Sequence, residues 1–231
     1  MKRAFLYLII IHFGIALNGQ AVNLDSIFEP KLCGEIFRMK TGILGEQYYN
    51  DDWTESDIKL ITGETAVNKL LKYNAFMDEV IWLEADGLRQ VKLEKHFIDE
   101  FCLKNFKGGS VVFKRMQLKL PRMTDTADIF VEVLSEKSAS LYVFRNVVIQ
   151  GTVDRVEDGV LYSYDKLVSQ PVYILSFPDK GTVTFQKIGR NALLKALPKA
   201  YKTIVTEIIQ RNHLSVRDED DLIKLVSLIN Q

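Results

Sequence analysis

The most chemically suggestive stretch of the chain is the aromatic and acidic run from residue 48 to residue 53. Flat aromatic rings stack on sugars, and carboxylates accept hydrogen bonds from sugar hydroxyls. The run therefore contains a candidate binding patch for a glycan or a peptide, made of Tyr48, Tyr49, Asp51, Asp52 and Trp53. The alternative is a turn before a strand, with aromatic side chains that pack on the edge of a sheet.

Other patterns that support catalysis or cation binding are weak in this chain. Ser110 follows two glycines but lacks the Gly-x-Ser-x-Gly context of a nucleophile. The acids from Asp218 to Asp221 lack the spacing of a calcium loop, and helix capping explains them better. The 30 acidic residues contain many carboxylate pairs, but sequence alone cannot select the two that a glycosidase needs. We therefore predict no catalytic residue, no metal ligand and no cofactor.

The two cysteines, Cys33 and Cys102, fit neither a zinc site nor a Cys-x-x-Cys redox motif. In an oxidising compartment they could form a disulfide with each other. Two buried thiols are the alternative.

The first 21 residues have the pattern of a secretory signal peptide. Lys2 and Arg3 precede a mostly apolar run that ends at Leu17, and the small residues Gly19 and Ala21 follow it. The run is shorter than the roughly 18 residues that a membrane-spanning helix requires. We predict cleavage after Ala21, with cleavage after Gly19 as the alternative. We also predict export to the periplasm or to an outer-membrane-associated location in a Gram-negative cell.

The charge balance argues against two classes of partner. The chain has 30 basic and 30 acidic residues, and loss of Lys2 and Arg3 with the signal peptide leaves a net charge of −2. This balance favours neither nucleic acid nor an anionic membrane surface. After the signal peptide no apolar run reaches spanning length, so we predict no transmembrane anchor in the mature chain. The expected partner is an envelope protein, a glycan or a lipid.

The elements that must position any site are predicted to be mainly strands. Short β-type runs separated by turn residues predict an antiparallel body of about ten strands within residues 22–188. Asp86-Gly87 lies between two apolar runs, which is a hairpin signal, and Asp158-Gly159 and residues 179–181 mark later turns. The later apolar runs are residues 97–103, 111–120, 129–134, 141–149, 172–177 and 183–188.

From residue 189 onward the apolar residues follow a helical period. Asn191 is predicted to cap a short helix, Pro198 suits the start of a second, and Asp218 is predicted to cap a third. Residues 189–231 are thus expected to form a tail of two to three helices packed on the β body. The predicted fold class is α+β.

Three stretches of the mature chain carry a family resemblance. They are Tyr49–Trp53 with Asp57–Leu60, Leu71–Asn74 with Asp78–Val80, and the tail from Asn191–Leu194 to Asp221–Val226. On these stretches the chain resembles a family of uncharacterised exported proteins of the Bacteroidetes. The resemblance implies export and a β body followed by helices, and it implies no activity.

Two classes of function follow from these observations. The first is a non-enzymatic envelope protein with a binding or structural role, in which the β body contacts another envelope component. The alternative is a periplasmic hydrolase of glycans or peptides that uses carboxylates not located by sequence. A third hypothesis is a carrier of a lipid or another hydrophobic ligand, with a cavity lined by residues 70–103.

Overall fold

The computed structural model describes residues 29–106, 108–120, 124–178 and 181–231, so the predicted signal peptide lies outside the described residues. The α+β prediction is confirmed, because strands precede three C-terminal helices. The strands are β1 (Gly34–Ile36), β2 (Ile43–Leu44), β3 (Thr54–Leu60), β4 (Thr65–Asn74), β5 (Glu79–Leu83), β6 (Gln90–Leu93), β7 (Ile98–Phe106), β8 (Gly109–Leu118), β9 (Ala127–Ser135), β10 (Ser140–Phe144), β11 (Val147–Glu157), β12 (Val160–Ser169), β13 (Val172–Phe177) and β14 (Gly181–Phe185). The helices are α1 (Arg190–Ala196), α2 (Lys199–Arg211) and α3 (Glu219–Ile229).

Eleven of the described strands form one open antiparallel sheet, in the order β1-β6-β5-β4-β3-β7-β8-β9-β10-β13-β14. Most neighbours in this sheet are also neighbours in sequence, as expected for a meander of hairpins. The predicted Asp86-Gly87 hairpin joins β5 to β6, and Gly87 has a φ of 69° there, a conformation that favours glycine.

The face of the sheet that β3 to β9 share carries the first hydrophobic cluster. Side chains alternate between the two faces of a strand, so Phe101 and Leu103 of β7 point to the same side. Phe101, Phe113 and Phe130, from three adjacent strands, are fully buried in this cluster. The rings of Phe101 and Phe113 are stacked with centroids 4.8 Å apart.

This half of the sheet curls strongly. Three strands lie between β4 and β9 in the sheet order, yet the β4–β5 turn contacts the backbone of β9. Twist accumulates over successive strands and brings distant strands of a large sheet towards each other. The curl therefore determines which side chains of the β4–β5 turn and of β9 meet.

The three helices cover the same face over the other half of the sheet. Their buried residues Leu193, Val205, Ile209, Leu222 and Leu225 pack on β10, β13 and β14 as the second hydrophobic cluster. Asn230, just after α3, exchanges two hydrogen bonds with the backbone of Ala139, at 2.7 and 2.9 Å. Within the described residues no helix has the length and apolar character needed to cross a membrane.

Two of the three predicted helix starts need comment. The helix α1 begins at Arg190 with Gly189 at its N-cap, so Asn191 lies inside the first turn and does not cap it. The third prediction is confirmed, because the carboxylate of Asp218 accepts a 2.9 Å hydrogen bond from the Asp221 amide at the start of α3.

The predicted run from residue 141 to residue 149 is two strands in the structure. The chain leaves the sheet after Phe144, and β11 then begins a long hairpin with β12. The strand β12 was not predicted. This hairpin and the short β2 form a separate three-stranded sheet.

Candidate functional site

The best candidate site is centred on Asp78, which the β4–β5 turn places inside the curl of the sheet. The side chain of Asn74 accepts hydrogen bonds from the amides of Phe76 and Met77, at 3.1 and 3.0 Å, and so closes the turn. Asp78 itself has a φ of 54°, a left-handed conformation that Asp tolerates better than most residues. The turn thereby directs a carboxylate towards β9.

Asp78 is buried and hydrogen-bonded on both oxygens. Its Oδ1 accepts a 2.7 Å bond from the Tyr73 hydroxyl and a 3.3 Å bond from the amide of Phe130. Its Oδ2 accepts a 2.6 Å bond from Nζ of Lys95. These contacts satisfy the carboxylate, as a buried charge requires.

Lys95 completes the site. It lies in a short 3-10 helix between β6 and β7, Lys95–Phe97, and its Nζ also donates a 3.1 Å bond to the carbonyl of Asp128. The pairing of β10 with β9 ends at Glu132. Residues 128–130 of β9 lie beyond that pairing. The carbonyl of Asp128 and the amide of Phe130 therefore bond to Lys95 and Asp78 and not to β10.

Burial shapes the protonation of this site. It raises the pKa of the Asp78 carboxyl, and the nearby Lys95 ammonium opposes that rise. Burial also raises the pKa of the Tyr73 hydroxyl well above its usual value, and the adjacent Asp78 charge adds to this effect. Tyr73 therefore stays protonated and acts as a hydrogen-bond donor.

A cavity of about 420 Å³ opens beside the Asp78–Lys95 pair. It falls within the size range of small-molecule sites, and it combines an apolar wall with a few polar groups, as such sites do. The apolar wall consists of Leu120, Ala127, Ile129, Phe144 and Val172, and the polar lining includes Asn146 and Gln186. The pair thus forms the charged end of an amphipathic cavity.

A second cavity, of about 260 Å³, lies on the β3–β4 turn side and is lined by Cys33, Leu60 and Phe97 among others. Its charged lining residues, Lys31, Glu64 and Glu94, are all exposed. It therefore lacks a buried charged group such as Asp78 in the first cavity.

A second buried polar network is centred on Arg145, at the boundary between the first two hydrophobic clusters. Nε of Arg145 donates a 2.5 Å bond to Glu132, and its two terminal nitrogens bond Glu219 at 2.6 and 2.9 Å. Tyr49 donates to Glu132 at 3.0 Å and Tyr173 donates to Glu219 at 2.8 Å. Burial raises the pKa of both hydroxyls. The network joins β9, the end of β10, β13 and the start of α3, which is a structural role.

The predicted aromatic and acidic patch is divided by the structure. Tyr49 is half-buried and packs against the first cluster, with its ring 5.1 Å from that of Phe113. Tyr48 and Trp53 lie on either side of Lys72, whose Nζ is 5.5 and 5.1 Å from the two ring centroids.

Asp51 and Asp52 are exposed beside these aromatic residues. The five predicted residues therefore do not share one surface. Tyr48, Trp53 and the two acids remain outside the core, while Tyr49 belongs to the Arg145 network.

The two cysteines are free thiols in the structure. Cys33 precedes the edge strand β1 and is exposed, whereas Cys102 lies in β7, with four strands between β1 and β7 in the sheet. A bridge requires Cα atoms within about 7 Å of each other. The structure shows two separate thiols, but neither is buried, because Cys33 is exposed and Cys102 is half-buried.

Sequence reasoning missed the Asp78–Lys95 pair. One local signal was available, because Asn74 and Asp78 flank a short segment between two apolar runs, as turn residues do. Nothing in the sequence connects that turn with Lys95 and β9, since the curl of the sheet brings them together. In the part of the chain that the structure describes, no group of three His, Cys, Asp or Glu side chains is arranged to hold a metal ion.

No known protein family, curated protein or solved structure matches this chain, so its function is inferred from its own geometry.

Proposed function

We propose that this chain is an exported, non-enzymatic binding protein of the cell envelope. Its ligand is a small amphipathic molecule with an anionic headgroup, such as a fatty acid or a related lipid. The observation that carries the proposal is the amphipathic cavity of about 420 Å³, with buried Asp78 and half-buried Lys95 paired at one end. The predicted signal peptide supports the location.

Lys95 supplies the contact for the headgroup. Asp78 and the carbonyl of Asp128 take two of its three N–H groups and hold the ammonium in place. Among the described residues the hydrogen bonds of Lys95 leave its third N–H for an acceptor on a ligand. A charge-assisted bond from a fixed ammonium to an anion is stronger than a bond between neutral groups.

The apolar wall supplies the rest of the affinity. Ile129, Phe144 and Val172 are buried side chains that line the cavity next to the pair. Each 100 Å² of apolar ligand surface that leaves water there contributes about 2.5 kcal/mol. A hydrocarbon chain on this wall with its headgroup at Lys95 uses both parts of the cavity.

At this cavity the hydrolase alternative has no comparable support. Its signature is two carboxylates that face each other in one pocket. Asp78 lines the cavity, but its oxygens are already bonded to Tyr73, Phe130 and Lys95, and the described lining contains no second carboxylate. The geometry therefore favours binding over hydrolysis.

The test is a calorimetric titration of the full-length protein, expressed in an exporting host, with three probes of equal chain length. These are decanoate, decanol and decyltrimethylammonium. We expect decanoate to bind most tightly. Lys95→Met should weaken the binding of decanoate by about tenfold or more, which is about 1.4 kcal/mol. It should change the binding of decanol much less.

Ala127→Phe provides a second variant that keeps the Asp78–Lys95 pair. Ala127 is half-buried on the cavity wall, so a phenyl group there should reduce the binding of all probes. Ala192→Phe, at a half-buried alanine in α1 away from the cavity, is the matched control. Absence of saturable decanoate binding by the wild-type protein, or equal binding by both phenylalanine variants, would refute the proposal.

A further inference from the structure

The β11–β12 hairpin extends away from the rest of the molecule. Only its base is buried, where Val147 and Leu167 join the first hydrophobic cluster and β2 pairs with Asp165 and Lys166. From residue 154 to residue 163 every residue is exposed. Val156 and Leu161 have 70% and 65% of their surface exposed, values typical of a contact surface rather than of a core.

The outer edge of β11 is unpaired in the described residues, because β11 is the last strand of its sheet. Asp158 and Gly159 have φ values of 52° and 79°, which indicate a two-residue type I′ turn. Glu157 and Val160 flank the turn and are bonded to each other. Bonding alternates along an antiparallel strand, so the N–H and C=O of Val156 point outward.

One observation on β12, the partner strand in the hairpin, agrees with this alternation. Asp165 lies opposite Thr152 in the hairpin register, and Thr152 is an even number of residues from Val156. The amide of Asp165 points out of the hairpin, since it donates a 2.9 Å bond to the carbonyl of Gly42. Val156 therefore presents one free donor and one free acceptor on the edge of β11.

We infer that this edge pairs with the same edge of a second copy of the chain, about a two-fold axis at Val156. In that arrangement the two Val156 residues exchange both backbone bonds, as the centre of an antiparallel pair requires. Arg155 of each copy lies opposite Glu157 of the other, in the closer, non-hydrogen-bonded positions. The same register places Asp154 of each copy opposite Asp158 of the other, at the two ends of the pairing. The complementary charges of Arg155 and Glu157 at its centre are the reason for assigning a second copy as the occupant.

The apolar side chains also match. Val156 lies opposite Leu161 within the hairpin, so the two share a face. Pairing at Val156 continues that row across four strands, as Leu161, Val156, Val156 and Leu161. Exposed edges with apolar side chains are the usual sites of such strand addition.

The test is the molar mass of the full-length protein by analytical ultracentrifugation, up to about 1 mM because the contact is small. We expect a concentration-dependent dimer. Arg155→Glu and Glu157→Arg should each weaken dimerisation about tenfold or more, because like charges then face each other. The double charge swap, with both substitutions in one chain, should restore it.

Val156→Pro is an independent variant that leaves the hairpin intact. Val156 uses neither its N–H nor its C=O within the hairpin, so proline removes only the outward donor. It should abolish the dimer while circular dichroism stays unchanged. The inference would be overturned if the wild-type protein stayed monomeric at every concentration. It would also be overturned by a dimer that neither the charge reversals nor Val156→Pro weakens, because the contact would then lie elsewhere.

Discussion

The curled half of the sheet and the β11–β12 hairpin are both antiparallel strands joined by tight turns, but they differ in what covers their faces. In the curled half, alternate side chains such as Phe101 and Leu103 are fully buried. In the hairpin, Val156 and Leu161 share a face and are both largely exposed. Apolar residues in a strand therefore do not by themselves indicate a core, because burial also requires a second surface on the same face.

The two regions also differ in how they hold charge. In and beside the curl, Asp78 and Arg145 have partners within hydrogen-bond distance. In the hairpin, Arg155 and Glu157 are exposed, and the Glu157 carboxylate accepts a 2.9 Å bond from the Tyr164 hydroxyl of the same hairpin. Buried charges need partners within the fold, while exposed charges are available for another molecule.

The largest expected difference comes from truncating one apolar side chain in each region. Phe113 is fully buried and its ring lies 4.8 Å from those of Phe101 and Tyr73. Phe113→Ala should lower the free energy of unfolding by about 3–5 kcal/mol, because it leaves a cavity in a packed cluster. Leu161→Ala should change it by less than about 0.5 kcal/mol. Urea denaturation at low protein concentration measures both, and similar losses would show that the hairpin is part of the core.

The second largest expected difference in stability is between Arg145→Ala and Arg155→Ala. Arg145→Ala removes the partner of Glu132, whose side chain is 8% exposed, and should cost about 3 kcal/mol because a buried charge is left uncompensated. Arg155→Ala in the hairpin is the matched control and should have little effect on stability. Adding Glu132→Gln to Arg145→Ala should recover part of the loss, since the uncompensated charge is then gone. Equal stabilities of the two single variants would contradict the structural role of the Arg145 network.

The smallest expected effect is a pH dependence from Asp78. Its pKa is raised in the folded state, so the folded protein binds its proton more tightly than the unfolded chain does. The stability that Asp78 contributes is therefore fully present below the ordinary carboxyl pKa and is lost as pH rises through the raised value.

Asp78→Asn isolates this contribution, because asparagine does not titrate. The difference in unfolding free energy between wild type and Asp78→Asn, measured in urea across that pH range, should favour the wild type most at the acidic end. The hairpin variant Asp158→Asn serves as the control, since Asp158 is exposed. A difference that grows in favour of the wild type with rising pH would mean that Lys95 outweighs burial.

Much of the curled sheet was predictable from local patterns. Apolar runs bounded by turn residues predicted the positions of β5, β6, β9 and β13, and Asp86-Gly87 predicted a hairpin that the structure contains. These strands lie over a buried face, so selection for burial leaves a clear apolar signal in them. The Asp218 cap of α3 was predictable for a similar reason, because it depends on residues only three positions apart.

The errors fall where packing or exposure overrides the local pattern. The strand β12 was missed because its residues are mostly exposed and carry no regular apolar stripe. The run from 141 to 149 was taken as one strand because it is almost continuously apolar, yet the chain turns at Arg145 and Asn146. Arg145 bonds Glu132 and Glu219 there, and neither partner is a near neighbour in sequence.

Hydrophobic period, turn residues and caps act over a few neighbouring positions, so the α+β class, the order of strands before helices and most turns could be predicted from the sequence. The predicted export signal also follows from local sequence. Tertiary structure alone accounts for three features: Tyr49 packs against the first cluster, Asp78 meets Lys95 beside a cavity, and β11 has an unpaired edge among the described strands. Each of these depends on the curl and register of an eleven-stranded sheet, which accumulate over many strands and which no short stretch of residues specifies.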